Sequence, residues 1–333
     1  MQKIGNIMEN NPYISVIITA YNRKEFLLDA FNSALNQTLD RSKYEIIVTK
    51  NFTDDKIDNY IKKNGGKLVF FEKGTYGEQV ADALKYAKGE VICFLEDDDL
   101  FTKEKLKTIY SLINDKICYI HNGMFYIDEN GNQIKNEKNR NLETKILVRN
   151  TDKSKKFDIP FVNNSAISVK KELLMRNKNV KEALSKITFG QDIFYYLVAL
   201  DSNCDMLAIP DKLTKYRIHR RNTSFQISSY HKLCEKQVKN SLRFLHDFKV
   251  TQKIVKKEIT KEVLALHTSF IQITKSFYAG SRKDILKAYA NYVRACKKLK
   301  QSMPLKLGIE IIFFVLWPNL IRYIYYKRIT KLK

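Results

Sequence analysis

Apolar runs without polar alternation punctuate the first hundred residues. ISVII (Ile14–Ile18) and VICFL (Val91–Leu95) each read as a buried strand, and YEIIV (Tyr44–Val48) and KLVFF (Lys67–Phe71) as further strands. The segments between them carry apolar residues at helical spacing. One helix is predicted from about Lys24, with Phe26, Leu27, Ala30, Phe31, Ala34 and Leu35 on one face; Asn22 and Glu25 give it a capping-box-like start. A second is expected from Asp54 to Lys63 and a third around Val80–Ala87. Such strands alternating with amphipathic helices are βαβ units, and they predict an α/β fold with a mostly parallel sheet covered on both faces. Ligands bind such sheets beyond the carboxyl ends of the strands.

The pattern changes after Lys116. ICYIHN and MFYIDENGNQIK read as strands with a turn at Asn130-Gly131, and a polar, Lys-rich loop is expected from about Asn136 to Lys156. SAISV reads as a short strand, QDIFYYLVAL (Gln191–Leu200) as a helix, and KLTKYRIH (Lys212–His219) as strand-like. From Tyr230 to about Leu299 apolar residues recur at helical spacing in a basic background. The tail, Leu305 to Tyr326, is mostly apolar but carries Lys306, Glu310 and Arg322; its uncharged stretch, Ile311–Ile321, has 11 residues and contains Pro318 and Asn319. Spanning a bilayer takes about 20 apolar residues, so a simple transmembrane helix is not expected. Trp317, Tyr323, Tyr325 and Tyr326 favour a membrane interface, and Lys327, Arg328, Lys331 and Lys333 come directly after them. These features point to a monotopic anchor on an anionic surface; a helix packed on the protein's own core is the other reading.

Charge sharpens this division. Residues 1–100 hold 13 basic against 16 acidic side chains, whereas 231–333 hold 23 against 6, within a chain of net charge +23. The first module is near neutral, and the positive charge belongs to the residues beyond it, where a polyanion is the natural partner. Hydrophobic content of 44% and charged content of 29% fit a folded protein. The five cysteines are scattered with no CxxC, so neither a zinc site nor a disulfide framework is expected, and a reducing compartment is implied. The N-terminus has no long apolar run of the signal-peptide kind.

The fourth strand runs straight into Glu96, Asp97, Asp98 and Asp99. Four adjacent acids repel one another and are costly to desolvate, unless a cation sits among them or they face water. Hard oxygen ligands favour Mg²⁺ or Mn²⁺. Asp99 could instead cap a helix beginning near Lys103.

Taken together, ISVIITAYNRKEFLLDAFNSALNQT, YEIIV, AKGEVICFLEDDD, GQDIFYYLVAL and YRIHRRNTS resemble the family 2 glycosyltransferases, over roughly Tyr13 to Ser224. The resemblance implies a GT-A fold, a Rossmann-like mixed sheet with helices on both faces, here succeeded by a C-terminal helical region. It also implies a nucleotide-diphosphate-sugar donor, a divalent metal (Mn²⁺ or Mg²⁺) and inversion at the anomeric carbon. On this resemblance Asp98 is the metal ligand, Glu96 contacts the ribose or the metal, Asp99 is a second ligand and Asp97 fills the variable position of the acidic motif. Thr19 and Tyr21 flank the base, and Arg23 reaches a phosphate. Two departures stand out. Thr49 and Lys50 replace the acids that usually read uracil, so another base such as guanine is open; Val80 and Ala81 stand where relatives carry an Arg-Asn pair, so Lys50 or Gln79 would take over donor contacts.

The resemblance further implies that Asp192, opening its helix, is the general base. His219 would lie near the diphosphate or the metal, and Arg217, Arg220 or Arg221 would pair with phosphate oxygens. PFVNNSA (Pro160–Ala166) lines the acceptor pocket or makes a turn. The expected organisation is a glycosyltransferase domain at 13–225, a basic helical region at 226–300 and a membrane-associating tail at 301–333. The expected acceptor is a saccharide or glycolipid, and the expected location is cytoplasmic and peripheral on the membrane. A sugar-1-phosphate nucleotidyltransferase is a rival, but VIITAYNRKEF lacks its glycine-rich signature. A basic nucleic-acid-binding protein is suggested by charge alone, and no nucleic acid is expected.

Overall fold

The computed structural model describes residues 11–134, 144–149, 162–219, 229–302 and 305–331, without the side chains of 325, 326 and 328–331. Arg220, Arg221 and Lys333 lie outside these residues, as do the side chains of Tyr325, Tyr326, Arg328 and Lys331. The chain divides into two compact units: 1–185 with 202–218, and 186–201 with 219–333.

The first unit is built on one mixed sheet. Strands β1 (Ile14–Ala20), β2 (Tyr44–Lys50), β3 (Gly66–Phe70) and β4 (Val91–Glu96) are parallel, with β1 between β2 and β4. Every residue of β1 is buried, as an apolar run without alternation requires of a strand covered on both faces. Helices α1 (Leu27–Leu35), α2 (Asp55–Lys63) and α3 (Tyr76–Tyr86) are the crossovers, and Leu27, Phe31, Ala34, Ile57 and Ile61 pack on the strands in the core. Beyond β4 the sheet continues through β8 (Ile167–Lys170), β6 (Ile117–Ile127), β9 (Asp205–Arg217) and β5 (Leu100–Phe101), with β7 (Ile146–Val148) also on β9. This part is mixed, antiparallel at every pairing except β6 with β9, which is parallel. Helices α4 (Lys105–Leu112), α5 (Lys171–Met175) and α6 (Lys178–Ser185) complete the unit.

Four expectations are corrected here. Asn22 does not cap α1: its φ is +53°, its amide donates to Asn51 Oδ1, and the helix begins five residues later. The two strands expected after Lys116 are a single eleven-residue strand that turns over at Asp128–Asn132, where Gly131 takes φ +85°. The loop expected from Asn136 to Lys156 contains β7, three apolar residues too short a run to signal a strand. Cys118 and Cys204 meet at a Cα–Cα distance of 5.7 Å, a span a disulfide bridges, although they are 86 residues apart in sequence.

In the second unit, α7 (Gln191–Leu200) is joined by α8 (Tyr230–Gln252), α9 (Glu258–Ala279), α10 (Arg282–Lys298), α11 (Leu305–Leu316) and α12 (Pro318–Lys331). Ile311 and Phe314 of α11 pack with Ile273, Ile285 and Ala288 in a small core. The tail therefore contributes to the fold on one of its faces.

Candidate active site

Thr19 on β1 pairs with Thr49 of β2 on one side and Glu96 of β4 on the other, so three strands present their carboxyl ends together. The chain leaves β4 in a tight turn, with the Asp99 amide donating to the Glu96 carbonyl (3.1 Å) and the Asp97 amide to the Thr19 carbonyl (3.2 Å). This turn folds the acids into one cluster.

Each acid has different partners. Asp97 receives both Arg23 Nε (2.9 Å) and a terminal Arg23 nitrogen, and that same nitrogen lies 2.8 Å from Asp98 Oδ2. Asp99 is fully buried; Oδ2 accepts from Ser165 Oγ (2.7 Å) and Asn163 Nδ2 (3.2 Å), and Oδ1 from the Arg217 amide (3.0 Å). It holds the turn and caps no helix; α4 starts at Lys105. Glu96 accepts from Asn164 Nδ2 (2.9 Å), and its amide donates to Ser165 Oγ (3.0 Å). Burial, then repulsion by Asp98, raises the Glu96 carboxyl to about 7. Burial raises Asp97 to about 6 against the opposing pull of Arg23, and burial with the charges of Asp98 and Glu96 holds Asp99 well above the carboxylate range. The cluster is therefore short of positive charge. One carboxylate oxygen each from Glu96, Asp98 and Asp99 lie within 4.8 Å of one another. Three hard, anionic oxygen donors at this spacing fit a divalent cation of the Mg²⁺ or Mn²⁺ kind.

Basic residues behave differently from expectation. The Arg217 guanidinium is buried and spends its donors on the protein: Nε on the Asp98 carbonyl (2.9 Å), one terminal nitrogen on the Glu129 carbonyl (2.7 Å) and the other on Asp29 (3.1 Å). It also lies over the Phe26 ring. In place of the phosphate contact expected of it, Arg217 braces the acidic turn from behind. The Lys50 ammonium is likewise committed, to Asp58 (2.9 Å) and the Phe52 carbonyl. A lysine in a nearly closed site needs such a counter-ion, which draws it away from an open pocket. Gln79 ties the strand ends together, donating to the carbonyls of Ala20 (3.2 Å) and Thr49 (3.0 Å). Thr19 donates to the Tyr76 hydroxyl (3.1 Å), and Tyr21 is exposed.

Sequence reasoning missed Lys105 and underrated Asn163, Asn164 and Ser165. Lys105 is fully buried, bonded to Asn122 Oδ1 and to the Ser165 carbonyl (3.4 Å), and burial lowers its ammonium to about 8. The Ser165 carbonyl also accepts from Thr214 (2.9 Å), so Lys105 and Thr214 support the same residue that binds Asp99. A lysine inside a helical pattern reads as a surface charge, so no local signal marked it.

Asp192 and His219 belong to the second unit. Asp192 lies in the first turn of α7, where its Oδ1 accepts from the Ile193 amide (2.8 Å). The approach to that helix is clamped by Asp247 of α8, which accepts from the Thr188 amide (2.9 Å) and hydroxyl (3.0 Å) and from the amides of Phe189 and Gly190 (both 2.8 Å). Asp247 had no sequence signal, because its partners are 57–59 residues away. His219 is buried.

The family model for glycosyl transferase family 2 matches residues 15–176. The poly(ribitol-phosphate) beta-glucosyltransferase of Bacillus spizizenii is 36% identical over 105 residues, covering 29% of this chain and 17% of that protein. The chain thus spans less than a fifth of that relative's length. Staphylococcus aureus TarS 1-349 in complex with UDP-GlcNAc superposes with a TM-score of 0.52 at 17% identity, over 87% of this chain and 93% of that one. The Pyrobaculum calidifontis mannosyltransferase PcManGT, in complex with GDP-Man and Mn²⁺, gives 0.54 at 15% identity, over 97% and 87%. At such identities the likeness establishes the fold, which is GT-A.

Proposed function

We propose, for a chain whose residues 15–176 belong to glycosyl transferase family 2, that it transfers a sugar from a nucleotide-diphosphate donor to an acceptor hydroxyl with inversion. The observation that carries this reading is the gathering of Glu96, Asp98 and Asp99 where the parallel strands end, beside the loop from Thr19 to Arg23. Mn²⁺ or Mg²⁺, held by Asp98 with Glu96 and Asp99, would supply positive charge against the departing diphosphate. Arg23, already paired with this cluster, supplies the protein's own positive charge there. Thr19 and Tyr21 take the base, and Lys50 and Thr49 stand where relatives read uracil, which leaves a donor with another base open. His219 is assigned to the diphosphate. Asp192 takes the proton of the acceptor hydroxyl, and Asp247 is its positioning residue.

The acceptor class is a saccharide or glycolipid, met at the cytoplasmic face of a membrane. The Bacillus relative is named for poly(ribitol-phosphate), a polyanion. The basic balance of residues 231–333, 23 against 6, suits a phosphate-bearing acceptor. Neither rival activity is favoured by a chain with this family match. Thermal-shift screening against UDP-, GDP- and dTDP-sugars tests the reading, since a ligand bound only by the folded state raises the melting temperature. A shift that needs both a nucleotide-sugar and Mn²⁺ is expected; no shift with any donor would overturn the proposal.

A further inference from the structure

The tail has two apolar faces. One is occupied: Ile311 and Phe314 are buried against α9 and α10. The other is open. Leu305, Ile309, Ile312, Leu316, Leu320 and Tyr323 are all exposed, Leu305 by 79% and Ile312 by 61%. Their spacing puts them on one side of a helix. The stripe crosses the junction of α11 and α12, because the Trp317 amide still donates to Phe313 and the Ile321 amide to Trp317. Beside it, an apolar groove is lined by Leu286, Tyr289, Gly308, Ile312 and Leu316. Exposed apolar surface of this extent marks a partner.

We propose that this stripe is an in-plane docking surface for an anionic phospholipid bilayer. Three observations select that occupant. No helix among the described residues is long and apolar enough to cross a membrane, so the stripe lies on the surface. Trp317, stacked on Phe313, and Tyr323 are exposed along it, the residue types that settle at headgroup depth. From residue 282 onward the chain holds 13 basic against 2 acidic side chains. An anionic headgroup layer attracts that charge, and a second copy of the same face would be repelled by it. This surface gives a physical means to the peripheral location proposed above and rests on that reading for its role, while its test needs no donor.

Removing the tail is the wrong perturbation, because Ile311 and Phe314 belong to the core. The chain's single tryptophan is Trp317, 52% exposed. Its emission therefore reports contact of this stripe alone. The full chain is mixed with phosphatidylcholine vesicles, with and without phosphatidylserine, and tracked by flotation and fluorescence. The wild type is expected to float with the anionic vesicles, less so in high salt, and its emission to shift to the blue. Ile312→Glu with Leu316→Glu is expected to lower the bound fraction about tenfold or more, since two exposed aliphatic side chains that would enter the bilayer are replaced by charges. The melting temperature and Mn²⁺-dependent donor binding of that variant should stay unchanged. An unshifted wild-type emission overturns the proposal without reference to any variant. So does equal flotation of the variant, or a lipid-free dimer that the substitutions split. Loss of donor binding by wild type and variant alike counts against the sugar-transfer reading and leaves this one standing.

Discussion

Arg23 is the protein's own counter-ion for the acidic turn, and replacing it by Gln tests the electrostatics directly. Its guanidinium is paired with Asp97 and with Asp98 at 2.8 Å, and both carboxylates are nearly closed to solvent. With charge centres roughly 4 Å apart and an effective dielectric of about 20, each pair is worth about 4 kcal/mol before desolvation is counted. Removing one partner of such a buried pair leaves uncompensated charge and typically costs about 3–5 kcal/mol. We expect the metal-free variant to lose about 3 kcal/mol at pH 8. The sign with pH comes from the raised carboxyls. Glu96 titrates near 7 and Asp97 near 6 in the folded protein, above their ordinary values. Their contribution to stability is thus present at low pH and lost as pH rises through the folded values. At pH 5 both hold their protons, Arg23 is left with Asp98 as its one pairing, and the deficit should shrink to about 1 kcal/mol. Metal affinity should move the opposite way: with a competing cation gone, the variant should bind Mn²⁺ more tightly and be stabilised by it more than the wild type. Thermal melts at pH 5 and 8, with and without Mn²⁺, read all of this. Equal losses at both pH values, with no gain in Mn²⁺ affinity, would show that Arg23 acts by packing and refute the reasoning.

Three further outcomes are expected. Asp192→Asn keeps shape but cannot accept a proton, so transfer should fall by about 10²–10⁴ with donor affinity unchanged; full activity would reduce Asp192 to a helix-end residue. Asp247→Asn sets an amide NH₂ against donors that now meet a carboxylate, which should cost about 2 kcal/mol and lower kcat about tenfold through Asp192, leaving the donor KM in place; an unchanged kcat would separate Asp247 from the reaction. Lys105 is held near 8, below its ordinary value, so the folded state binds fewer protons than the unfolded state and stability rises with pH from about 8 to 10.5. Lys105→Met should erase that slope, change the melting temperature little at neutral pH, and weaken Mn²⁺-dependent donor binding through Ser165; a persistent slope would mean another group is titrating.

Elements with a periodic pattern were legible in the sequence. The four parallel strands, their crossovers, α7 and the helical C-terminal region arise from runs that bury both faces or one face of their element. The acidic cluster was legible because four adjacent acids after a buried strand demand an explanation. What holds the cluster was not. Ser165 and Arg217 reach it from 66 and 118 residues away, Lys105 supports Ser165 across 60 residues, and only the folded sheet makes these partners neighbours. Arg217 and Lys50 show why residue type misleads at a site: both are cations, yet burial obliges each to spend its donors on the protein. The start of α1 was misjudged because Asn22 fits a capping pattern equally well when it occupies a left-handed position and pairs with Asn51.

The claim at the centre is that the acids after β4 hold a divalent ion for a nucleotide-sugar. Calorimetric titration of UDP- and GDP-sugars, with and without Mn²⁺, into the wild type and Asp98→Ala is the most direct measurement. We predict donor binding by the wild type that requires Mn²⁺, and none by the variant, whose fold should persist because Arg23 keeps Asp97 as its partner and relief of acid–acid repulsion offsets the lost Arg23–Asp98 pair. Metal-dependent donor affinity left intact in Asp98→Ala would contradict the claim.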